Sequence, residues 1–546
     1  MKRAPLVAAA TLSATLLLAP SAAAIDDIGT FNLRKGVSSA GIIDHMQALQ
    51  RRANANGGNR AAATPGYEAS LAYVERRLDR AGYETERHAF DFATWKQNAA
   101  ATLQIEGQAP LVEGAAADYV VASFSGAGNV KAPLVASSDI QIPQPPPAGS
   151  GTSGCERSDW PAGDMPLAGK VALIQRGTCT FNFKIELAKT LGAIGVVIFN
   201  DGFPTRELPQ AITAPQSIGI PVVSTSAAVG AQLYAAVQEG TANMTFNVDA
   251  TTTPTTQYNL TADTETGNPE RTIVVGAHLD SVPAGPGIND NASGSGTLIE
   301  IAEEITKLQS KPRNRIRFAW WGAEESGLVG SNAYVADLIK SGEIDDIEAN
   351  LNFDMLASPN FVRFVYDGDN SATAPPGSAE IEELFTSYFE NEGLATTPTP
   401  FDGRSDYGPF IAAAAYVPAG GLFSGAEGIK TAAQAEVYGG VAGSWFDPCY
   451  HQACDTLSTV LYQPPLTATG LLGADKAAAA ALMRGNGAVG LGQLADGAAH
   501  ATWTLARSRS PLVGPEDLTA QARRTFAREA RAAAKTQEHK GGVLVR

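Results

Sequence analysis

The sequence predicts an α/β fold interrupted by a second, β-rich α/β unit, and three observations lead there. Short apolar runs that close on an acid or a histidine recur at 271–278, 316–325 and 347–354. A helical stretch follows the first of them. From about 110 to 250 the pattern changes to apolar runs broken by Gly, Pro and Ser, with no ligand-type residue at the strand ends. With 546 residues, 44% of them apolar, the chain can bury more than one core, so two folded units are expected. The expected divisions are a leader at 1–24, a principal unit in two pieces at 25–109 and 253–506, an insert at 110–252, and a C-terminal extension at 507–546.

Lys2-Arg3, the apolar stretch Leu6 to Leu18 and the small residues Ser21 to Ala24 form a signal-peptide pattern with cleavage expected after Ala24. The apolar stretch is too short to span a bilayer, so the mature chain is expected to be secreted, with no membrane span. Asp44 to Gly82 carries helical periodicity, with Gly66-Tyr67 near a turn and Leu71, Val74 and Leu78 on one face, and is expected to pack on the principal sheet. In the insert, Tyr119–Val121, Val171–Ile174 and Val196–Phe199 read as strands. The stretch 169–201 runs strand, turn, amphipathic helix, strand.

Arg271 to Ala277 reads as a buried strand that delivers His278-Leu279-Asp280 to its carboxyl edge, where open α/β sheets bind ligands. Pro283 to Asn291 is a loop by composition, and Gly294 to Glu304 is helical. Asp290 therefore stands just before a helix, with two readings: Asp290 or Asn291 caps the helix, or Asp290 serves a site with His278. Asp280 is placed to accept a hydrogen bond from the His278 imidazole. Ile316 to Trp321 is the next strand, followed by Gly322 and the pair Glu324-Glu325. Adjacent acids repel unless they are solvated or a cation lies between them. The run from Ile347 ends in a third acid, Asp354. From about Ser508 the chain is Ala/Arg-rich, with Arg523, Arg524, Arg528 and Arg531 near helical spacing. An amphipathic helix, a removable propeptide and a plain extension all fit it.

Taken together, His278, Asp290, Glu325, Asp354 and His451 make a donor set for two zinc ions, because imidazole and carboxylate are the ligands a hydrolytic zinc site uses. Glu324 is left over as a general base for a metal-bound water. Four cysteines in an exported chain read as two disulfides. Cys449 and Cys454 bracket His451 and would close its loop, which leaves Cys155 with Cys179 to staple the insert. His45, His88, His500 and His539 lack a repeated acidic pattern and read as structural or solvent-facing. A formal charge of -16 argues against nucleic acid as a partner. Three Asn-X-Ser/Thr triplets, at Asn243, Asn259 and Asn291, carry no weight in an Ala- and Gly-heavy chain.

The segments HLDSVPAGPGINDNASGSG, RFAWWGAEESGLVGS, LNFDM, DGRSDYGPF, GGLFSGA and CYHQAC together resemble the secreted bacterial di-zinc aminopeptidases, the leucine aminopeptidase and aminopeptidase Y-like peptidases. The likeness covers roughly Asp44 to Phe90 and Gln257 to Leu505. It implies a mixed-sheet zinc exopeptidase domain with helices on both faces. By position, His278 and Asp354 would bind one zinc, Glu325 and His451 the other, and Asp290 both. Glu324 matches the general base, Tyr450 a tyrosine that helps hold the oxyanion, and Arg404 an arginine at the substrate cleft. The family's peptide bond after the bridging aspartate is cis, which places one at Asp290-Asn291. The insert, for its part, resembles a protease-associated domain, a lid or binding surface without catalytic groups.

The expectation is thus a secreted zinc-dependent aminopeptidase, acting as a monomer on peptide or protein N-termini, with two Zn2+ per chain. It would remove single N-terminal residues, apolar ones by preference, and a further Ca2+ is left open. Phe423 is read either as lining an apolar pocket for the first side chain or as core. The rivals are a carboxypeptidase or glutaminyl cyclase on the same scaffold, which a basic pocket or a single metal would favour, and a metal-free binding protein, which has no use for Glu324.

Overall fold

The computed structural model describes residues 29–146, 149–203, 206–240, 242–512 and Thr525. The expected leader, His539 and the four arginines of the C-terminal extension lie outside the described residues. In chain order the strands are β1 Thr85–Gln97, β2 Thr102–Ile105, β3 Tyr119–Val121, β4 Gly128–Ala136, β5 Val171–Gln175, β6 Gly195–Phe199, β7 Val222–Thr225 and β8 Asn243–Val248. They continue with β9 Ala250–Asp263, β10 Asn268–His278, β11 Asn314–Trp321, β12 Ile347–Asp354, β13 Phe364–Tyr366, β14 Thr397–Thr399 and β15 Ala419–Phe423. Two sheets result, one ordered β1-β9-β11-β10-β12-β15-β13-β14 and one ordered β2-β8-β4-β5-β6-β7-β3. By its contacts the chain divides into two compact units, one with the described parts of Met1–His88, Asn259–Glu324 and Gly330–Arg546, the other with Ala89–Tyr258 and Glu325–Val329.

The centre of the eight-stranded sheet is parallel: β10 lies between β11 and β12, and β15 pairs with β12 in the same sense. Antiparallel pairing of β9 with β11 and of β13 with β15 makes the sheet mixed. Thr272 to His278 is buried throughout, as a central parallel strand covered on both faces must be. That is why it reads as a continuous apolar run and not as an alternation. The helix Ala292–Lys307 is capped by the Asn291 side chain, which accepts from Gly294 N at 2.8 Å. The capping reading therefore belongs to Asn291, and Asp290 is released for other work.

Two N-terminal helices, Ser39–Ala55 and Pro65–Ala81, take Ser38 and Thr64 as caps, and the second ends on a left-handed Gly82 at φ +91°. Gly66-Tyr67, expected near a turn, follow the turn at residues 62–64 and lie in the first turn of the second helix, where the missing N–H of Pro65 costs nothing. Leu71, Val74 and Leu78 are fully buried as expected. These helices pack on Ala292–Lys307 through Arg77–Glu303 at 2.5 Å and His45–Glu300 at 3.3 Å, and just past the second of them Tyr83 Oη donates to Ala302 O at 2.9 Å.

The seven-stranded sheet builds the second unit. In it β5, the helix Phe181–Thr190 and β6 follow in the expected order, with β4, β5, β6 and β7 parallel. Its faces carry separate cores, one around Leu173, Val197 and Phe246, the other around Ile174, Ile185 and Ile198, so successive residues of β5 and β6 serve opposite cores. The Cys155–Cys179 disulfide is formed here, with a Cα separation of 5.9 Å.

Candidate metal centre

Because β11, β10, β12 and β15 are parallel, their carboxyl ends share one edge of the sheet. His278 and Asp354 are the last residues of β10 and β12. His278 pairs in register with Trp321 at the end of β11, so Glu324-Glu325 leave the sheet beside it. Phe423 ends β15 in register with Asp354. Asp290 comes from the loop between β10 and its helix, and the peptide bond Asp290-Asn291 is cis. His451 projects from the loop closed by Cys449–Cys454.

These elements converge. His278 Nε2 lies 3.1 Å from Asp290 Oδ1 and 3.2 Å from Asp354 Oδ1, while His451 Nε2 lies 3.3 Å from Asp290 Oδ2. Two triads of potential donors follow, His278–Asp290–Asp354 and Asp290–Glu325–His451, with the donor atoms of each within 4.8 Å of one another. Asp290 belongs to both and turns one oxygen toward each imidazole. The first triad is buried, whereas the His451 side chain is 41% exposed. Nitrogen and carboxylate donors without a thiolate, three protein ligands to a triad, suit a catalytic zinc that keeps an open position and not a closed structural one.

The surroundings hold the donors in place. Asp280 accepts from His278 Nδ1 as expected, with its backbone carbonyl at 3.2 Å and its carboxylate at 3.6 Å. The Asp280 carboxylate also takes the backbone N–H of Glu324 at 3.1 Å and so fixes the start of the acidic turn. Ser405 Oγ donates to Asp354 Oδ2 at 2.6 Å. Tyr450 stacks on His451 with ring centres 3.8 Å apart, and Arg404 donates to the Tyr450 hydroxyl at 3.2 Å while pairing with Glu427 at 2.9 Å. Arg404 and Tyr450 thus stand at the mouth of the second triad. Phe423 is half-buried and stacks on Phe364 with ring centres 5.8 Å apart.

The electrostatics are those of a place built for cations. Burial alone would push the His278 imidazole down, yet Asp354, Glu324, Asp280 and Asp290 hold it well above its usual range. Burial alone would raise Asp290, and the two imidazoles beside it hold it well below the usual carboxylate range. Burial together with the charges of Asp354 and Asp280 pushes Asp406 up to about 7. Crowded carboxylates with opposed shifts around a few imidazoles mark functional sites in general.

Sequence reasoning missed several supporting residues. Ser405 and Asp406 lie in the motif singled out only for Arg404. Asp447 and Asp455 are buried and flank the cysteine-bracketed loop on either side, a symmetry that could have drawn notice. Arg60, fully buried, donates to the carbonyls of Leu279, Pro286 and Gly287 and thereby organises the loop that leads to Asp290; nothing in its neighbourhood signals that role. Of the remaining described histidines, His45 bonds Tyr73 Oη at 2.7 Å and Glu300 at 3.3 Å, His88 bonds Thr261 and His500 bonds Thr30. All three have structural partners.

Comparison with known proteins adds a family. The model for Peptidase family M28 matches residues 259–470, and that for the PA domain matches residues 130–233. An aminopeptidase of Pseudomonas aeruginosa is 43% identical over 434 residues, 78% of this chain and 78% of that protein. Leucine aminopeptidase 2 of Trichophyton equinum is 42% identical over 311 residues, 56% of this chain and 61% of that one. Among solved structures, the aminopeptidase from Aneurinibacillus sp. strain AM-1 aligns with a TM-score of 0.64 at 24% identity, covering 90% of this chain and 99% of that one. BSAP, a zinc aminopeptidase from Bacillus subtilis, aligns with a TM-score of 0.53 at 22% identity, over 85% and 94% of the two chains. At these identities the solved structures share the fold.

Proposed function

The chain belongs to peptidase family M28 and carries an inserted PA domain, and from that premise we propose that it is a secreted aminopeptidase that removes single N-terminal residues, apolar ones by preference, at a pair of zinc ions. The observation that carries the reading is the posture of Asp290, whose two oxygens face the imidazoles of His278 and His451 at 3.1 and 3.3 Å. His278 and Asp354 would hold one zinc, Glu325 and His451 the other, and Asp290 both. When bound, a zinc pair supplies Lewis acidity and an acidified water at neutral pH.

The chain's own groups do the rest. The Glu324 carboxylate takes a proton from the attacking water and hands it to the leaving amine. Asp280, through the Glu324 N–H at 3.1 Å, holds the turn from which that carboxylate projects. The Tyr450 hydroxyl donates to the oxyanion of the tetrahedral state, oriented by Arg404 Nη2 at 3.2 Å from its oxygen. Acidic side chains around the triads bind the protonated amine of the substrate's first residue. Phe423, half-buried at a strand end in register with Asp354, offers an apolar wall for that residue's side chain. Disulfides at Cys155–Cys179 and Cys449–Cys454 support export to an oxidising compartment, and among the described residues no helix is long and apolar enough to cross a membrane.

The test compares leucine p-nitroanilide with its N-acetyl form and follows a longer unblocked peptide by mass spectrometry. Acetylation removes the charge that the carboxylates recognise, so hydrolysis should fall by orders of magnitude, and the peptide should shorten one residue at a time from its amino end. Equal cleavage of both substrates, or shortening from the carboxyl end, would sink the aminopeptidase reading.

A further inference from the structure

The loop that carries His451 is bracketed twice. Cys449 and Cys454 close it, with their Cα atoms 5.4 Å apart, and the buried residues Asp447 and Asp455 stand outside the cysteines. Both aspartates reach the same short stretch, Ile288 to Asp290, which ends in the carboxylate shared by the two triads. Asp455 accepts three successive backbone N–H groups: Ile288 on its carbonyl at 3.3 Å, Asn289 on Oδ1 at 2.7 Å and Asp290 on Oδ2 at 3.0 Å. Asp447 accepts from Asn289 Nδ2 at 2.6 Å on one oxygen and from Cys449 N at 2.8 Å on the other. Asn289 is held from the remaining side by Ser358 Oγ at 3.0 Å and by Ala357 N, which donates to its Oδ1 at 2.9 Å.

We propose that Asp455 and Asp447 are positioning residues for the second metal, a clamp that sets the distance between Asp290 and His451. The proposal rests on the metal-pair reading above. The physical reason is the fit between acceptor and donor. Only a carboxylate presents two acceptors to two adjacent peptide N–H groups, and an amide in its place turns an NH2 against one of them. An unpaired N–H in this buried spot is costly, so the loop would shift to satisfy it. A shift there moves Asp290 relative to His451, which hangs from the other end of the same hydrogen bonds. His278 and Asp354 are anchored separately, on the adjacent strands β10 and β12, so the first triad keeps two of its three donors in place when Asp290 shifts, whereas the second loses the spacing of Asp290 to His451 and is the one hit harder.

The test is zinc binding to the full, chelator-stripped protein, titrated with zinc alone and followed by calorimetry or a competing metal dye, beside His451→Ala and His278→Ala as references. The parent should take up two zinc ions. Asp455→Asn should lose about ten- to a hundredfold in affinity for one of them, giving the isotherm of His451→Ala and not that of His278→Ala. Adding Asp455→Asn to His451→Ala should then change metal binding little further. Should Asp455→Asn not yield folded protein by circular dichroism, Asp447→Asn carries the same test, because it leaves the grip of Asp455 on Asn289 and Asp290 intact. A parent-like isotherm in the variant, or an equal loss at both sites, overturns the clamp while the metal pair stands. A parent that binds no zinc overturns the metal pair and the clamp with it.

Discussion

Glu324 and Glu325 are neighbours in sequence with different expected duties, and their separation begins with the backbone. Trp321 ends β11, Ala323 turns the chain at φ +56°, and the Glu324 N–H is tied to Asp280. Glu325 joins Asp290 and His451, and in the proposed mechanism Glu324 moves the proton. Glu324→Gln should therefore retain both metals and lose about a hundredfold or more in kcat, the size expected for loss of a general base. Glu325→Ala should lose zinc as well. Metal content by emission spectrometry alongside kcat separates the two outcomes, and a Glu324→Gln enzyme as fast as its parent would place the base elsewhere.

Lys184 offers a second test at the same scale. Its ammonium is buried in the second unit, donating to Ser153 O and facing Cys155 Sγ at 3.5 Å, and burial pushes it down from 10.5 to about 8. Between those values the unfolded chain binds more protons than the folded one, so this residue's contribution to stability grows as pH rises from about 8 to 10.5 and is lost as pH falls back through 8. Lys184→Met should gain on its parent at pH 7 relative to pH 10. A stability difference between the two proteins that is flat in pH, measured by urea unfolding, would contradict this.

At the scale of elements, the helix Ala292–Lys307 brings its first turn down onto β12. Asn291 caps it and also accepts from Met355 N at 3.2 Å, and the Asn291 amide donates to Phe353 O at 3.0 Å. Gly294 is required by this approach, since a Cβ there would run into the Phe353 carbonyl and the Asn291 side chain. Gly294→Ala should cost about 2 kcal/mol through overpacking and should weaken zinc binding, because the displaced turn carries Asp290 with it. Urea unfolding of the apo protein and a zinc titration check the two effects. An apo protein as stable as its parent would mean that the turn yields easily.

For the whole molecule, the second unit interrupts the first in sequence and has its own seven-stranded sheet and cores. Its disulfide and the one in the His451 loop suit an oxidising compartment, as the proposed export requires. Protein recovered from the medium should begin at Ile25 by N-terminal sequencing, and non-reducing peptide mapping should recover both disulfides intact. A free thiol at Cys449 in such protein, or a chain still starting at Met1, would contradict export through the leader.

Much of this protein is determined locally and so can be read from the sequence. A strand buried on both faces must be apolar, and a polar residue at its end has to face the crevice. His278, Asp354 and the acidic turn after Trp321 therefore announced themselves, and the close spacing of Cys449 and Cys454 around His451 marked a closed loop. The turn near Gly66-Tyr67 is there too, at residues 62–64, where Pro65 starts the second helix. The tertiary structure alone decided which atoms meet: that Asn291 takes the cap, that Asp290 divides its oxygens between two imidazoles 161 and 12 residues away, and that Asp447, Asp455 and Arg60 hold that arrangement. Most of their partners are backbone N–H and carbonyl groups, present at almost every residue. Such bonds leave no pattern in the side chains until the fold has chosen which backbone lies opposite.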